Sequence, residues 1–325
     1  MEPVAPPDAS ARADAEARAA TLPLPIGSLG RLEELAVWFA ACRGETTPVP
    51  PRTPRVVLFA AGHGIAAAGV SAFGAEETAA RVAAEERGDG PVSAFAAVAG
   101  ATLRVAEVGP VSRRLDREDA LSGEEVDAAR QRGADVADEE VDAGADLLIP
   151  GELGVGISTP TAVLAGAMTG REPVAVVGRG SGIDDTTWMR KTAAVRDGLR
   201  RARRTGGAGR DPRSLLAAVG GADLAALTGF LEQAARRRTP VLLDGAPVAV
   251  AALLADADTP GAAAWWSAAN RDAEPAQLLA LEILGLDPLL RVDLRAGRAT
   301  GALAALPLLT MGVRTLGGSP PGETG

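Results

Sequence analysis

GADLLIPGELGVGIST, residues 144–159, places a short apolar run directly before a glycine-rich turn and two hydroxyl side chains. The run at 147–150 is apolar throughout, which is typical of a strand that is buried on both faces of a sheet. Glycines in the turn let the backbone approach a ligand, and Ser158 and Thr159 add hydroxyl groups. The stretch therefore predicts a parallel strand that ends at a ligand-binding turn, although a plain strand–helix turn fits the same spacing.

Other short apolar runs repeat this pattern along the chain, each followed by a turn and then by helical sequence. They are VVLFA at 56–60, LRVAEV at 103–108, VAVV at 174–177 and VLL at 241–243. Strands that alternate with helices are typical of a doubly wound fold, so the sequence predicts an α/β protein with a mostly parallel sheet. In such sheets ligands bind beyond the carboxyl ends of the strands.

Helix ends and chain ends are also predicted. Ser122, with Glu125 three residues later, forms the pattern of a capping box and predicts a helix start. Asp223 favours the start of another helix. Residues 1–20 predict a frayed, charged helix or a disordered arm, and residues 317–325 predict a disordered tail.

Composition excludes several classes of protein. The 325 residues are 47% hydrophobic and 23% charged, which is a globular balance. The net charge of −9 argues against a dedicated nucleic-acid binder. Cys42 is the only cysteine and His63 the only histidine, which excludes an internal disulfide and a structural Cys₄ or Cys₂His₂ zinc site. We expect no metal site.

The longest apolar run, residues 246–255, has about half the length of a membrane span. The N-terminal twenty residues have no apolar core, so we expect no signal peptide. A cytoplasmic protein without a membrane span is therefore expected.

Several turns after the predicted strands carry side chains that are candidates for catalysis or for ligand binding. His63, between two glycines, either faces a ligand or completes a tight turn. Glu152 is a carboxylate in an apolar turn, where a pKa can rise toward the range of a general base. Lys191, the only lysine, either reaches a phosphate from the helix after the second glycine-rich turn or is solvated. Glu274 either contacts a ligand or is solvated, and the Trp pair at 265–266 predicts core packing.

Seven blocks of the chain, taken in order, resemble a single enzyme family. They are GSLGRLEELAVW at 27–38, GHGIAAAGVSAF at 62–73, GADLLIPGELGVGIST at 144–159, VAVVGRGSGIDDTTWMRKTAAVRD at 174–197, GGADLAALTGF at 220–230, TPVLLDG at 239–245 and LGLDPLL at 284–290. The family is that of the nicotinate-nucleotide:dimethylbenzimidazole phosphoribosyltransferases. The resemblance implies a large α/β domain at 30–275, a small helical domain built from 1–29 and 276–325, and a homodimer.

The resemblance also implies an activity and a set of site residues. The reaction transfers phosphoribose from nicotinate mononucleotide to 5,6-dimethylbenzimidazole in cobalamin assembly, with no cofactor and no metal. Glu152 and Lys191 take the catalytic positions. The implied substrate-binding residues are His63, Ser71, Phe73, Gly154, Gly156, Ser158, Thr159, Gly178, Gly180, Ser181, Gly182, Asp244, Glu274 and Arg298.

One departure from the family pattern affects the expected chemistry. The family block that reads like RLGEGTGA is RAGRATGA at 295–302 here, so Arg298 replaces the family's proposed general-base glutamate. An arginine stays protonated and cannot accept the acceptor's proton. Either Glu152 then serves as the base or the acceptor is a different azole. The alternative is a catalytically impaired paralogue that binds a nucleotide or azole, or that partners an intact homologue.

Overall fold

The computed structural model describes residues 3–205 and 211–317 and contains a parallel sheet at its centre. The strands are β1 (Pro54–Ala60), β2 (Thr102–Glu107), β3 (Leu147–Glu152), β4 (Val241–Leu243) and β5 (Trp266–Ala268). Their order across the sheet is β2-β1-β3-β4-β5, and every neighbouring pair is parallel. The predicted α/β fold with a mostly parallel sheet is confirmed.

Helices cover both faces of this sheet. They are α1 (Ala9–Ala20), α2 (Arg31–Arg43), α3 (Glu77–Glu86), α4 (Pro91–Ala99), α5 (Gly123–Asp142), α6 (Ser158–Thr169), α7 (Pro173–Val176), α8 (Asp185–Thr205), α9 (Pro212–Val219), α10 (Ala222–Arg236), α11 (Ala246–Asp258), α12 (Pro275–Leu284) and α13 (Thr300–Gly317). Single 3₁₀ turns lie at Gly64–Ala68 and Ala262–Trp265. Within the described ranges, no helix is long and apolar enough to cross a membrane.

The register of the strands brings their carboxyl ends to one edge of the sheet. Phe59 of β1 lies opposite Glu152 of β3. Leu148 of β3 pairs with Val241 of β4, and β5 continues the sheet beyond β4. All five strands run in one direction, so the turns that follow β1, β3 and β4 meet at this edge.

One predicted strand is wrong. Residues 174–177 belong to helix α7 and the start of the turn that follows it. A four-residue apolar run does not by itself distinguish a strand from a helix, and Pro173 at the first helical position favours the helix. Val174 is also exposed, unlike a residue of a buried strand. The fifth strand is β5 instead. The buried Trp265 precedes this strand, and the buried Trp266 is its first residue.

The predicted helix starts are confirmed. Ser122 Oγ accepts a hydrogen bond from the Glu125 amide at 3.1 Å, and the Glu125 carboxylate accepts one from the Ser122 amide at 2.6 Å. This capping box begins α5. Asp223 is the second residue of α10.

Helices from both chain ends pack together. Helix α1 forms where the sequence predicts a frayed helix or a disordered arm, and it packs on α2. Helix α13 packs on α2 as well, and Arg18 of α1 donates a hydrogen bond to the Gly317 carbonyl at 2.8 Å. The predicted disordered tail lies, apart from Gly317, outside the described residues. The division into two domains stays a prediction.

A charged cluster ties α5 to α10 and α11 away from the carboxyl edge of the sheet. Arg130 of α5 contacts Glu232 of α10 at 2.6 Å and Asp258 of α11 at 2.7 Å. All three side chains are largely buried. We call these three residues the Arg130 cluster. Burial raises the pKa of Glu232 to about 7, although the Arg130 guanidinium opposes the rise.

Candidate active site

A cleft of about 500 Å³ opens at the carboxyl edge of the sheet. Its walls come from the loops after β1, β3 and β4, from the loop between α7 and α8, and from the segment before α13. The residues that line it are Ser71, Phe73, Arg81, Pro91, Glu152, Gly154, Val155, Gly156, Ile157, Ser158, Gly180, Ser181, Gly182, Gly245, Ala246, Pro247, Asp272, Glu274, Arg295, Ala296, Gly297, Arg298 and Thr300.

Glu152 is the last residue of β3 and lines the cleft. Its Oε2 atom is buried and has no hydrogen-bond partner among the described residues. Burial raises the pKa of this carboxyl to about 7; the Arg298 guanidinium opposes the rise and the charge of Asp223 adds to it. A carboxylate with a free oxygen and a pKa near neutrality is suited to accept a proton.

Lys191 of α8 joins the two glycine-rich turns. Its ammonium group is fully buried and donates to Ser158 Oγ at 3.0 Å and to the Gly178 carbonyl at 3.1 Å. Burial lowers the pKa of Lys191, and the charge of Glu274 opposes that change. Lys191 therefore holds the start of α6 against the loop before α8.

Gly180 is where these two turns come closest. Its φ is +51°, and a Cβ atom there would lie 2.8 Å from Ser158 Oγ and 3.1 Å from Lys191 Nζ. Only glycine fits this position without moving the lysine or the serine. The Gly180 amide donates to Glu274 Oε1 at 2.7 Å, so Glu274 is engaged by the loop.

A pair of serines connects the loop after β1 to the same region. Ser71 Oγ lies 3.2 Å from Ser181 Oγ, and Ser181 Oγ accepts a hydrogen bond from the Ala72 amide at 2.9 Å. Ser71 Oγ also accepts from the Phe73 amide at 3.2 Å. These bonds fix the orientation of the segment that presents Phe73 to the cleft.

His63 lies beneath the cleft and does not line it. Its Nε2 atom is 2.9 Å from Asp223 Oδ2, and both side chains are fully buried. Its Nδ1 atom has no hydrogen-bond partner among residues 3–205 and 211–317. A Cβ atom on Gly154 would lie 2.6 Å from Asp223 Oδ2, so this pair packs directly against the turn after β3.

Two aspartates, Asp244 and Asp272, lie in the turns that follow β4 and β5. Asp244 is buried, and its Oδ2 atom accepts a hydrogen bond from the Gly301 amide at 2.8 Å. Asp272 lines the cleft and accepts from the Ala246 amide at 3.2 Å and from the Glu274 amide. Burial raises the pKa of Asp244 to about 6 and that of Asp272 to about 7.

Most of the predicted site residues surround one cleft. Those that line it are Ser71, Phe73, Glu152, Gly154, Gly156, Ser158, Gly180, Ser181, Gly182, Glu274 and Arg298. The structure places the others behind the lining: His63, Thr159, Gly178, Lys191 and Asp244. Within the described part of the chain, no cluster of three or more His, Cys, Asp or Glu side chains could hold a metal ion.

Sequence analysis does not identify Arg81, Asp272 and Asp223 as site residues. Arg81 lies in the middle of α3, whose sequence ETAARVAAEE gives no local sign of a binding role. Asp272 is two residues from Glu274, and this proximity is the one signal that could have found it. Asp223 is predicted only as a helix start, although a buried carboxylate in the first turn needs a partner.

Comparisons with known proteins define the class of this cleft. A family model described as phosphoribosyltransferase matches residues 4–320. The chain is thus a phosphoribosyltransferase, an enzyme that transfers a pentosyl group.

Named relatives identify the particular family. The nicotinate-nucleotide–dimethylbenzimidazole phosphoribosyltransferase of Mycobacterium avium is 50% identical over 96% of this chain and 93% of that relative. The Mycobacterium tuberculosis relative of the same name is also 50% identical, over 97% of this chain and 91% of its own. The crystal structure of CobT from Thermus thermophilus superposes with a TM-score of 0.89 at 35% identity, covering 94% of this chain and 96% of that one. The chain belongs to the nicotinate-nucleotide–dimethylbenzimidazole phosphoribosyltransferase family.

Proposed function

We propose that this chain transfers the 5-phosphoribosyl group of nicotinate mononucleotide to 5,6-dimethylbenzimidazole or a related azole. The products are α-ribazole 5′-phosphate and nicotinate, and the reaction belongs to the assembly of the cobalamin nucleotide loop. The names of the relatives support these substrates. The observation that carries the proposal is Glu152, whose unpartnered Oε2 atom and pKa of about 7 supply a proton acceptor in the cleft.

The glycine-rich turns would hold the phosphate of the donor. Helix α6 begins at Ser158 on the cleft, and the free amide groups of a helix N-terminus favour an anion. The loop at 180–182 faces the same space, and Lys191 fixes it to Ser158. Lys191 would act by holding this phosphate site in shape and by adding positive charge behind it.

In the reaction, an azole ring nitrogen attacks the anomeric carbon of the ribose. The bond from that carbon to the nicotinate ring nitrogen breaks, and its electron pair stays on the departing nicotinate. The azole N–H proton passes to Glu152. Glu274 and Asp272 also line the cleft, but their carboxylates already accept backbone hydrogen bonds, whereas Glu152 keeps a free oxygen.

We infer three further properties, the dimer and the domains from the resemblance and the location from the composition. The chain forms a homodimer, acts in the cytoplasm, and divides into a large domain at 30–275 and a small helical domain from 1–29 and 276–325. Size-exclusion chromatography with light scattering tests the dimer directly. A monomeric mass at micromolar concentration would overturn it.

The experiment that tests the activity is a direct product assay. Purified protein is incubated with nicotinate mononucleotide and dimethylbenzimidazole, and nicotinate and α-ribazole phosphate are followed by chromatography. We expect both products above a control without enzyme. Nicotinate alone would indicate hydrolysis or another acceptor. Neither product from folded protein would favour a binding or partner role and would overturn the proposal.

A further inference from the structure

Two guanidinium groups enter the cleft from different elements, and neither forms an ion pair within the described residues, although the charge of Glu152 lies near both. Arg81 comes from α3 and Arg298 from the segment before α13. Both also line a side chamber of about 290 Å³ that opens from the cleft between α3 and α4. Neither side chain forms a hydrogen bond or an ion pair with another residue in the described ranges. Other arginines of this chain do pair with carboxylates, as Arg104 and Arg113 do.

The position of Arg298 is set by its backbone. Gly297, Arg298 and Ala299 have φ values of +61°, +56° and +71°. A non-glycine residue in this region costs roughly 1–2 kcal/mol, so packing must impose the conformation. The packing partner is Gly151 of β3, where a Cβ atom would lie 2.9 Å from the Arg298 carbonyl carbon. Arg298 is thereby held beside Glu152.

The position of Arg81 is set by Phe73. The guanidinium carbon lies 4.7 Å from the centroid of the Phe73 ring, which is a cation–π contact. Burial lowers the pKa of Arg81, and the nearby charge of Arg298 lowers it further, while Glu77 and Glu152 offset part of the effect. Two like charges that lie near each other at half-buried positions favour the binding of an anion between them.

The carboxylates of the chamber do not fill this role. Glu85 is buried and accepts hydrogen bonds from the amides of Val92 and Ser93 at 3.1 and 2.9 Å, at the start of α4. Glu77 forms no ion pair in the described chain. The remaining chamber wall is Phe73, Ala80, Ala84 and Pro91, which suits the flat face of an aromatic ring.

The donor has its anion site elsewhere in the cleft. The start of α6, the loop at 180–182 and Lys191 form one wall, while Arg81 and Arg298 belong to α3 and to the segment before α13. A phosphate on the glycine-rich wall leaves the arginine side free. Glu152 lines the cleft that connects the two, where the proton of an acceptor must be removed.

We propose, resting on the function above, that Arg81 and Arg298 bind a carboxylate on the acceptor. Besides dimethylbenzimidazole, the cleft then accepts a flat aromatic azole with an anionic substituent, stacked beside Phe73. The substituent lies between the guanidinium groups and the ring N–H points toward Glu152. Arg298 thus selects the acceptor, and proton removal is left to Glu152.

The test compares two acceptors of nearly the same shape, benzimidazole-5-carboxylate and benzimidazole-5-carboxamide, with nicotinate mononucleotide as donor. We expect kcat/KM to favour the carboxylate by about tenfold, the size of effect typical of one charge-assisted pair. Arg81→Met and Arg298→Met should each reduce this ratio to about one. Arg87→Met is the matched control, because Arg87 is an exposed residue at the end of the same helix and pairs with Asp89. The ratio should not change in that variant.

Three results would overturn the inference. The first is an equal kcat/KM for both acceptors in the unmodified protein. The second is an unchanged ratio of the two kcat/KM values in both arginine variants. The third is that these variants raise the KM of nicotinate mononucleotide and leave the KM of the acceptor unchanged. The last result would assign the two arginines to the donor. If no acceptor turns over, dimethylbenzimidazole included, the proposed function fails by itself. Calorimetric titration with the same two ligands then tests the inference. The inference still requires that the carboxylate binds about tenfold more tightly than the carboxamide, and that Arg81→Met and Arg298→Met lose this preference.

Discussion

Burial raises the pKa of both the Glu152 and the Glu232 carboxyl group to about 7, yet the two groups differ in their partners. Glu232 lies in the Arg130 cluster, 2.6 Å from a guanidinium that also contacts Asp258. Glu152 lines the cleft with an oxygen that has no partner among the described residues. A raised pKa therefore does not by itself separate a catalytic group from a structural one. The oxygen without a hydrogen-bond partner is the feature that supports the proposed catalytic role of Glu152.

The largest expected effect that separates the two carboxyls is on turnover. Glu152→Gln should lower kcat by about 10²–10⁴-fold, because an amide cannot accept the azole proton. Glu232→Gln is the matched control and should keep kcat within about twofold, since Glu232 lies on α10 away from the cleft. Initial rates with dimethylbenzimidazole measure both. An equal loss of kcat in the two variants would contradict the distinction between the two carboxyl groups.

The next effect is on stability and affects the Arg130 cluster. Arg130→Met leaves Glu232 and Asp258 without their shared cation and should lower the free energy of unfolding by about 3 kcal/mol. Arg132→Met, on the same helix, removes an exposed pair with Glu139 and should cost at most about 0.5 kcal/mol. Urea unfolding measures both variants. Similar values for the two would show that the cluster is not a structural anchor.

The third effect is on the pH dependence of the rate. The pKa of Glu152 lies at about 7, and only its ionised form accepts a proton. The value of kcat/KM should therefore rise about tenfold per pH unit below 7 and level off above it. Glu232→Gln should leave this profile in place. A kcat/KM that does not change from pH 5 to 8 would show that the ionisation of Glu152 does not control the rate.

The smallest effect is a gain in stability at high pH. The folded pKa of Glu152 is raised above its ordinary 4.5, so its contribution to stability is present below pH 4.5 and is lost as pH rises through 7. Glu152→Gln avoids that loss and should raise the unfolding free energy at pH 8 by about 1–2 kcal/mol, a value reduced because water reaches the cleft. The two proteins should be equally stable near pH 4.5. A variant that is less stable at pH 8 would mean that Glu152 is structurally required.

Much of the fold could be predicted because most of its strands are short, continuous apolar runs that can be recognised in the sequence. The runs at 56–60 and 241–243 lie within strands of the structure, and the capping box at Ser122 starts a helix as expected. The run at 174–177 resembles a strand in sequence, but a proline, and not its valines, decides its conformation. Strand β5 is only three residues long and begins within a tryptophan pair, where burial of large rings dominates the pattern.

The candidate site was predictable where it follows the strands and unpredictable where it comes from packing. Glu152 ends β3 and the turn that leads to Ser158 follows it directly, so their place at the edge of the sheet follows from topology. Arg81 reaches the cleft only because α3 lies beside Phe73 and across from Arg298. No periodicity within α3 marks that arginine, because its place beside Arg298 depends on how distant parts of the chain pack.

Gly151 has a consequence for how this enzyme could be changed. A Cβ atom at this position would lie 2.7 Å from Leu58, 2.9 Å from the Arg298 carbonyl carbon and 3.1 Å from the Ala299 amide nitrogen. Gly151, the residue before the proposed general base Glu152, thus packs directly against the loop that carries Arg298. Substitutions made to alter acceptor choice will shift proton transfer as well, and their effects will not add. Laboratory evolution of a new acceptor should therefore vary β3 and the segment at 295–299 in one library, because separate libraries would miss the combinations that work.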